Sequence, residues 1–330
     1  MVRPSDSPPL RLTPLLRHRL VIVTGKGGTG KTAVAASLAM AGAARGLRVV
    51  LAEVGHEEQA PGLIAPGSPG VGYGGREIRP RLRALRVDPF AALAEYIGLQ
   101  LGGMRLAKAV VDNAGFRQLM AAAPGWRELI TLGKLWHLEQ RHDGERPDVD
   151  LIVVDAPATG HGLTFLDVPR LVASAVRSGP LGRNAREVER LLSDPERTLL
   201  LPVALAEELP VRETCELVAR LQSDLDIPVD RVVVNAVEPR PIAPDLETLP
   251  RRLTDLSTSA RTAIRPETIA TCIRHRTGRH TLQQHHLEGL AAETGLPLVT
   301  LPHRRGGIAG PDDLNALVEP LLAEPATVPS

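Results

Sequence analysis

The chain has 330 residues, 43% of them hydrophobic, enough for one large α/β domain or two modest ones. With 39 basic against 38 acidic residues its net charge is +1, which excludes a protein that coats nucleic acid. Three Phe, two Tyr and two Trp cannot furnish base-stacking platforms, and two widely spaced cysteines, Cys215 and Cys272, exclude a disulfide framework. A reducing cytoplasm is the expected compartment.

The first 18 residues carry four prolines and no apolar block of signal-peptide length, so they are expected to form a flexible tail. From residue 19 to about 325 the expected organisation is a single domain. Apolar, β-branched runs at 19–24, 47–53, 151–155, 198–204, 231–235 and 298–301 alternate with helical patterns, which predicts a doubly wound, mostly parallel sheet. Residues 82–87 read as a shorter, added strand. A helix through residues 40–45 closes at Gly46. Residues 65–75, with five glycines and two prolines, read as a mobile loop. Two helical insertions interrupt the alternation, at about 88–142 and 238–295. Met104 and Met120 in the first would either pack in its core or line an apolar groove. No stretch reaches the length of uncharged apolar residues that spans a membrane.

The segment Gly25-Lys26-Gly27-Gly28-Thr29-Gly30-Lys31-Thr32 follows the first strand and opens a helix, which is the context of a phosphate-binding loop. Glycines let successive N–H groups turn toward an anion, and the helix dipole adds to them. Lys31 is expected on the β- and γ-phosphates of ATP and the Thr32 hydroxyl on Mg²⁺. Asp155 ends a buried strand in the run Asp150-Leu151-Ile152-Val153-Val154-Asp155, where a carboxylate would hold Mg²⁺ through water. The turn after it, Ala156 to His161, is placed to sense γ-phosphate.

Several ordered motifs carry a resemblance. The run K-G-G-T-G-K-T resembles the deviant phosphate loop of the MinD/ArsA group. D-A-P-A-T-G-H, followed by Leu163, Phe165, Leu166 and Pro169, resembles the D-T-A-P-T-G-H signature of the ArsA family. The stretch Glu207-Glu208-Leu209-Pro210-Val211-Arg212-Glu213-Thr214 resembles that family's E-E-M-P-V-x-E-T. The family includes arsenical-pump ATPases and ATPases that target tail-anchored membrane proteins. The resemblance implies a P-loop fold of the MinD kind, a Mg²⁺-dependent ATPase, and a homodimer or related heterodimer. In that dimer Lys26 would reach the phosphates of the other subunit; a solvated loop lysine is the alternative. It further implies that Asn235 recognises adenine, with Pro302 and His303 in a loop beside the base. A membrane-protein client or a permease would be the partner, and no nucleic acid.

Where the family commonly shows D-P-A-H-S, this chain reads Leu51-Ala52-Glu53-Val54-Gly55-His56-Glu57-Glu58. Glu53 is the best-placed carboxylate to act on the attacking water; a solvated Glu capping the strand is the other reading. Two separated thiols do not make a three-thiolate metalloid site, and without C-x-x-C no structural zinc is expected. The basic run Arg274 to His280, with His285 and His286, places its histidines five apart, so they do not share a helix face.

Overall fold

The computed structural model describes residues 13–55, 58–122, 125–176, 178–240 and 266–324. Its strands, in chain order, are β1 (Leu20–Gly25), β2 (Val49–Glu53), β3 (Arg76–Arg79), β4 (Leu82–Arg86), β5 (His142–Asp143), β6 (Arg146–Pro147), β7 (Leu151–Ala158), β8 (Thr198–Leu205), β9 (Val232–Val237) and β10 (Leu298–Pro302). The helices are α1 (Lys31–Ala44), α2 (Ala60–Ile64), α3 (Pro89–Leu101), α4 (Met104–Asp112), α5 (Ala114–Ala122), α6 (Trp126–Gln140), α7 (Thr159–Ala175), α8 (Gly179–Ser193), α9 (Glu208–Arg220), α10 (Pro266–Thr294) and α11 (Pro311–Leu322).

Eight strands form one sheet in the order β10-β9-β8-β1-β7-β2-β4-β3. All neighbours are parallel except β3, which pairs antiparallel with β4. The doubly wound, mostly parallel architecture expected from the alternation is the one observed. Along β1, Val21 and Val23 face a layer containing α1 and α11, while Leu20 and Ile22 face a layer containing α6 and α8. A strand covered on both faces has no side to leave polar, which is why these strands read as unbroken apolar runs. Ser37 of α1 ties the first layer together by donating to the Leu314 carbonyl of α11, at 3.0 Å.

The packed body starts earlier than residue 19. A single 3-10 turn at Pro14–Arg17 buries Leu15 and Leu16 completely or nearly so. Two leucines in a proline-rich stretch were enough to anchor it, and the hydrophobic gain of burying them outweighs the weak local structure. Residues 1–12 lie outside the described residues, as do 325–330. Helix α1 starts at Lys31, as expected, and its alanines pack flat against the sheet.

The first insertion, residues 88–142, is four helices, α3 to α6, with a small core of its own. Leu93, Val111 and Trp126 are buried there, and Phe90 meets Trp126 edge-on at 4.9 Å between ring centroids. Met120 packs into this core, whereas Met104 is exposed. Of the second insertion, residues 241–265 lie outside the described residues and the remainder is the long helix α10. Among the described residues no helix is long and apolar enough to cross a membrane.

Residues 65–75 are tied down rather than loose. Both Glu58 carboxylate oxygens accept main-chain N–H groups, from Val71 and Gly72, each at 2.7 Å. The Arg76 guanidinium binds the Pro69 and Gly70 carbonyls, and the Tyr73 hydroxyl donates to Glu95. Glycine content favours a loop without saying whether a carboxylate thirteen residues away will hold it. Replacing Glu58 with Ala leaves two N–H groups without their charged acceptor, a loss of about 1–3 kcal/mol. Hydrogen exchange at Val71 and Gly72 should then accelerate at least about tenfold while the α1 amides keep their protection; unchanged exchange at those two residues would contradict the assignment.

Candidate functional site

Residues 25–30 join β1 to α1 between the carboxyl ends of β8 and β9. At Gly25 φ is +144° and a β-carbon would stand 2.2 Å from the Val203 carbonyl oxygen of β8. At Gly30, immediately before α1, φ is +91° and a β-carbon would stand 2.1 Å from Asn235 Nδ2 of β9. Only glycine serves at either point, so the loop's tight path is dictated by its neighbours as much as by its own turn. Thr29 closes the turn by donating its hydroxyl to the Lys26 carbonyl at 2.9 Å. The first N–H groups of α1 face the same space with no side-chain cap to occupy them.

The loop forms one end of a cleft of about 620 Å³. Gly28, Gly30, Lys31 and Thr32 line that end, and Glu53, Asp155, Asn235 and Ile308 also line the cleft, Asn235 directly beside Gly30. The size suits a nucleotide. Lys31 Nζ donates to the Lys26 carbonyl at 3.1 Å, a short reach from the cleft. Burial lowers the pKa of its ammonium, and Asp155 opposes that shift.

Adjacent strands β2 and β7 place Glu53 and Asp155 in direct register. Glu53 is 3% exposed; its Oε1 accepts the N–H groups of Gln59 and Ala60 at 2.9 and 2.8 Å, and its Oε2 is buried with no partner. Asp155 Oδ2 accepts the Thr32 hydroxyl at 2.6 Å, and its Oδ1 is likewise buried without a partner. Burial raises both carboxyls above their ordinary range. For Glu53 the two N–H groups oppose the rise; for Asp155 the Thr32 hydroxyl and Lys31 do. Two desolvated carboxylates, each with one oxygen still seeking a partner, can hold a cation or take a proton.

The structure does not bring every expected residue to the cleft. Gly25, Gly27 and Thr29 shape the loop from behind and do not line it. Lys26 also turns away, with its Nζ 2.7 Å from Glu213 Oε1 of α9, both side chains about one-third exposed. Asn235 lines the cleft, but its amide is spent inside the fold: Nδ2 donates to the Thr29 carbonyl at 2.9 Å, and Oδ1 accepts from Ala236 at 2.9 Å. Pro302 is exposed and His303 lies 3.3 Å from Glu238; neither lines the cleft, and Ile308 of the same loop does. Ile308, Gln59 and Leu63 carry no motif that would reveal them. Glu213 could have been read from its place in the E-E-L-P-V-R-E-T stretch. His56 and Glu57 lie outside the described residues.

Comparison with known proteins fits this geometry. A family model described as anion-transporting ATPase matches residues 18–179 and 181–257. The ATPase BagA of Mycobacterium tuberculosis is 35% identical over 230 residues, covering 68% of this chain and 67% of its own length. The ATPase GET3 of Eremothecium gossypii is 23% identical over 255 residues, covering 66% of this chain and 71% of its own. That of Candida glabrata is 24% identical over 261 residues, with 66% and 72% covered. A nucleotide-binding loop, a paired-carboxylate floor and a family match over most of the chain agree: this protein is an ATPase and belongs to the anion-transporting ATPase family, the ArsA ATPases.

Proposed function

We propose that the cleft binds ATP with Mg²⁺, that two copies close face to face around it in the cytoplasm, and that hydrolysis drives the handling of hydrophobic membrane-protein segments. The observation that carries the dimer is the direction of Lys26. A lysine of the phosphate loop turned outward to Glu213 does not serve its own cleft and is available to another. An ion pair this exposed contributes at most about 1 kcal/mol, so exchanging Glu213 for a triphosphate across an interface costs little. A cation supplied in this way acts as an arginine finger does.

The donors fit Mg²⁺. The Thr32 hydroxyl and the Asp155 carboxylate are hard oxygens, and Asp155 Oδ1 has no partner to lose. When bound, Mg²⁺ would neutralise charge on the β- and γ-phosphates. Lys31 moves from the Lys26 carbonyl to the phosphate oxygens, and the N–H groups of the loop and of α1 orient them. Glu53 Oε2 lies in the cleft unpartnered, with a pKa raised toward the working range of a general base, and it takes the proton of the attacking water. The chain runs from Asp155 straight into α7, so a change at the γ-phosphate reaches the helical layer.

The helical layer is where a client would bind. Leu99 is 63% exposed and Leu106 57% exposed on α3 and α4, and Met104 and Leu181 are exposed nearby in chain and fold. Leu99 and Leu181 border one cavity of about 210 Å³ between α3, α6 and α8. Apolar side chains of this size left in water favour a partner surface. A second reading, the catalytic subunit of an anion efflux system, is favoured by the description of the matching family. Its metalloid form is disfavoured: burial pushes the Cys215 thiol up to about 11, and Cys272 stands exposed on α10. A transmembrane peptide that co-purifies in ATP and is released in ADP supports the client reading; turnover stimulated by an oxyanion instead supports efflux.

Lys31→Ala should abolish ATP binding measured by calorimetry. Lys26→Ala should bind ATP within about threefold of wild type yet lose about 10²-fold or more in turnover, together with ATP-dependent dimerisation in sedimentation. Normal turnover in Lys26→Ala would contradict a site completed across the dimer.

Glu53→Gln should lower kcat by about 10²- to 10⁴-fold and remove the acid limb of the pH profile, which in wild type lies above the ordinary glutamate value of 4.5. The sign for stability is opposite. A carboxyl whose folded pKa is raised binds protons more tightly folded than unfolded, so wild type loses stability as pH rises from 4.5 through the folded value. Without nucleotide, Glu53→Gln should therefore melt at or above the wild-type temperature at neutral pH, and a lower melting point would refute the burial penalty.

A further inference from the structure

The polar side chains that line the cleft are not equally committed. Lys31 donates to the Lys26 carbonyl, Thr32 to Asp155 and Asn235 to the Thr29 carbonyl, and one oxygen each of Glu53 and Asp155 accepts a donor from the protein. Gln59 differs. It lines the cleft, it is exposed, and its carboxamide makes no hydrogen bond to another described residue. An uncommitted glutamine on a surface says nothing by itself. This one is joined through its own N–H to the carboxylate whose second oxygen is buried without a partner, Glu53.

The main chain that carries this amide is held on every side. The Gln59 N–H donates to Glu53 Oε1 at 2.9 Å, and the Gln59 carbonyl accepts from Leu63 N at 3.2 Å. The residue before it, Glu58, binds the Val71 and Gly72 N–H groups with its two carboxylate oxygens. The residue after it, Ala60, donates to the same Glu53 oxygen at 2.8 Å and is fully buried, with Pro61 and Ile64 of α2 buried beyond it. Only the side chain of Gln59 is left to be ordered by a ligand, so the entropic cost of engaging it is small. Its position along the cleft follows from neighbours alone. Thr32 of the phosphate loop bonds Asp155, Asp155 stands in register with Glu53, and Glu53 bonds Gln59.

We propose that Gln59 is a catalytic residue of ATP hydrolysis, which orients the attacking water together with Glu53. This rests on the reading that Glu53 accepts that water's proton. A water aimed in line at the γ-phosphorus turns a lone pair toward it, so its two hydrogens need acceptors on the protein side. Glu53 Oε2 accepts one and Gln59 Oε1 the other. The Gln59 NH₂ group remains to donate to a γ-phosphate oxygen, and a glutamate in its place could not supply that donor when ionised. In the step itself the water oxygen bonds to the γ-phosphorus as the bond from that phosphorus to the β,γ-bridging oxygen breaks. The electron pair leaves with ADP, one water proton passes to Glu53, and the Gln59 amide neither gains nor loses a proton.

The test sets turnover of the full chain with Mg·ATP beside calorimetric binding of two ligands, a non-hydrolysable ATP analogue and ADP with aluminium fluoride, which mimics the phosphoryl group in transfer. In Gln59→Ala, kcat and the affinity for ADP with aluminium fluoride should each fall about 10- to 10²-fold, while affinity for the ATP analogue holds within about twofold. The melting temperature should not change, because the amide has no protein partner to lose. Gln59→Glu keeps an acceptor but removes the donor and adds a charge beside Glu53, and should lose as much turnover as Gln59→Ala. Added to Glu53→Gln, the Gln59→Ala change should cost no more than about threefold further, since both groups act on one water. Wild-type kcat in Gln59→Ala, an equal loss for both calorimetric ligands, or a full additive loss in the double variant would each overturn the proposal. Wild-type kcat in Glu53→Gln would overturn instead the reading of Glu53 on which it rests.

Discussion

Two carboxyl groups on neighbouring strands, shielded from water, set the terms for this molecule. Glu53 and Asp155 stand in register on β2 and β7, each with one buried oxygen that no hydrogen bond reaches. Such groups cost free energy when charged, and both pKa values rise to reflect it. The fold reduces the cost with the Thr32 hydroxyl and the Gln59 and Ala60 N–H groups, without removing it. In the chain, α2 follows Glu53 and α7 follows Asp155.

The parallel sheet makes this arrangement unavoidable. Because β1, β2 and β7 run in the same direction, the phosphate loop, Glu53 and Asp155 reach the same edge. Gly25 and Gly30 then allow the loop to pass within contact of β8 and of Asn235. The loop leaves β1 and passes against β8 and β9, and its lysines part there: Lys31 into the cleft, Lys26 out to α9. Beyond Asn235, Glu238 ties β9 to α10 and to the loop after β10.

Much of this was legible in the chain itself. Unbroken apolar runs such as Leu20 to Val23 and Leu151 to Val154 announced strands buried on both faces, and the glycine-lysine loop announced the turn that lines the cleft. Glu53 and Asp155 were found because strand ends are where such sheets present chemistry. What escaped notice depended on contacts between distant stretches. Leu15 and Leu16 are anchored by packing that no local pattern reports. The glycine-rich 65–75 segment is held by Glu58 and Glu95, one on each side of it in sequence. Pro302 and His303 were assigned to the cleft from resemblance, yet Ile308, further along the same loop, lines it instead. Motifs locate the loop and the carboxyls of the cleft; side-chain packing decides which neighbours complete its lining.

The most direct test of the account follows the protons. Preformed Mg·ATP is titrated into wild type and into Asp155→Asn at a series of pH values upward from the ordinary aspartate value of 3.8, in buffers of differing ionisation enthalpy. Carboxyls held above their ordinary range must release protons when a cation and its triphosphate arrive, so wild type should release more protons than Asp155→Asn, which keeps only Glu53. Proton uptake, or equal release by both proteins, would contradict the claim that a desolvated carboxylate floor receives the metal and nucleotide.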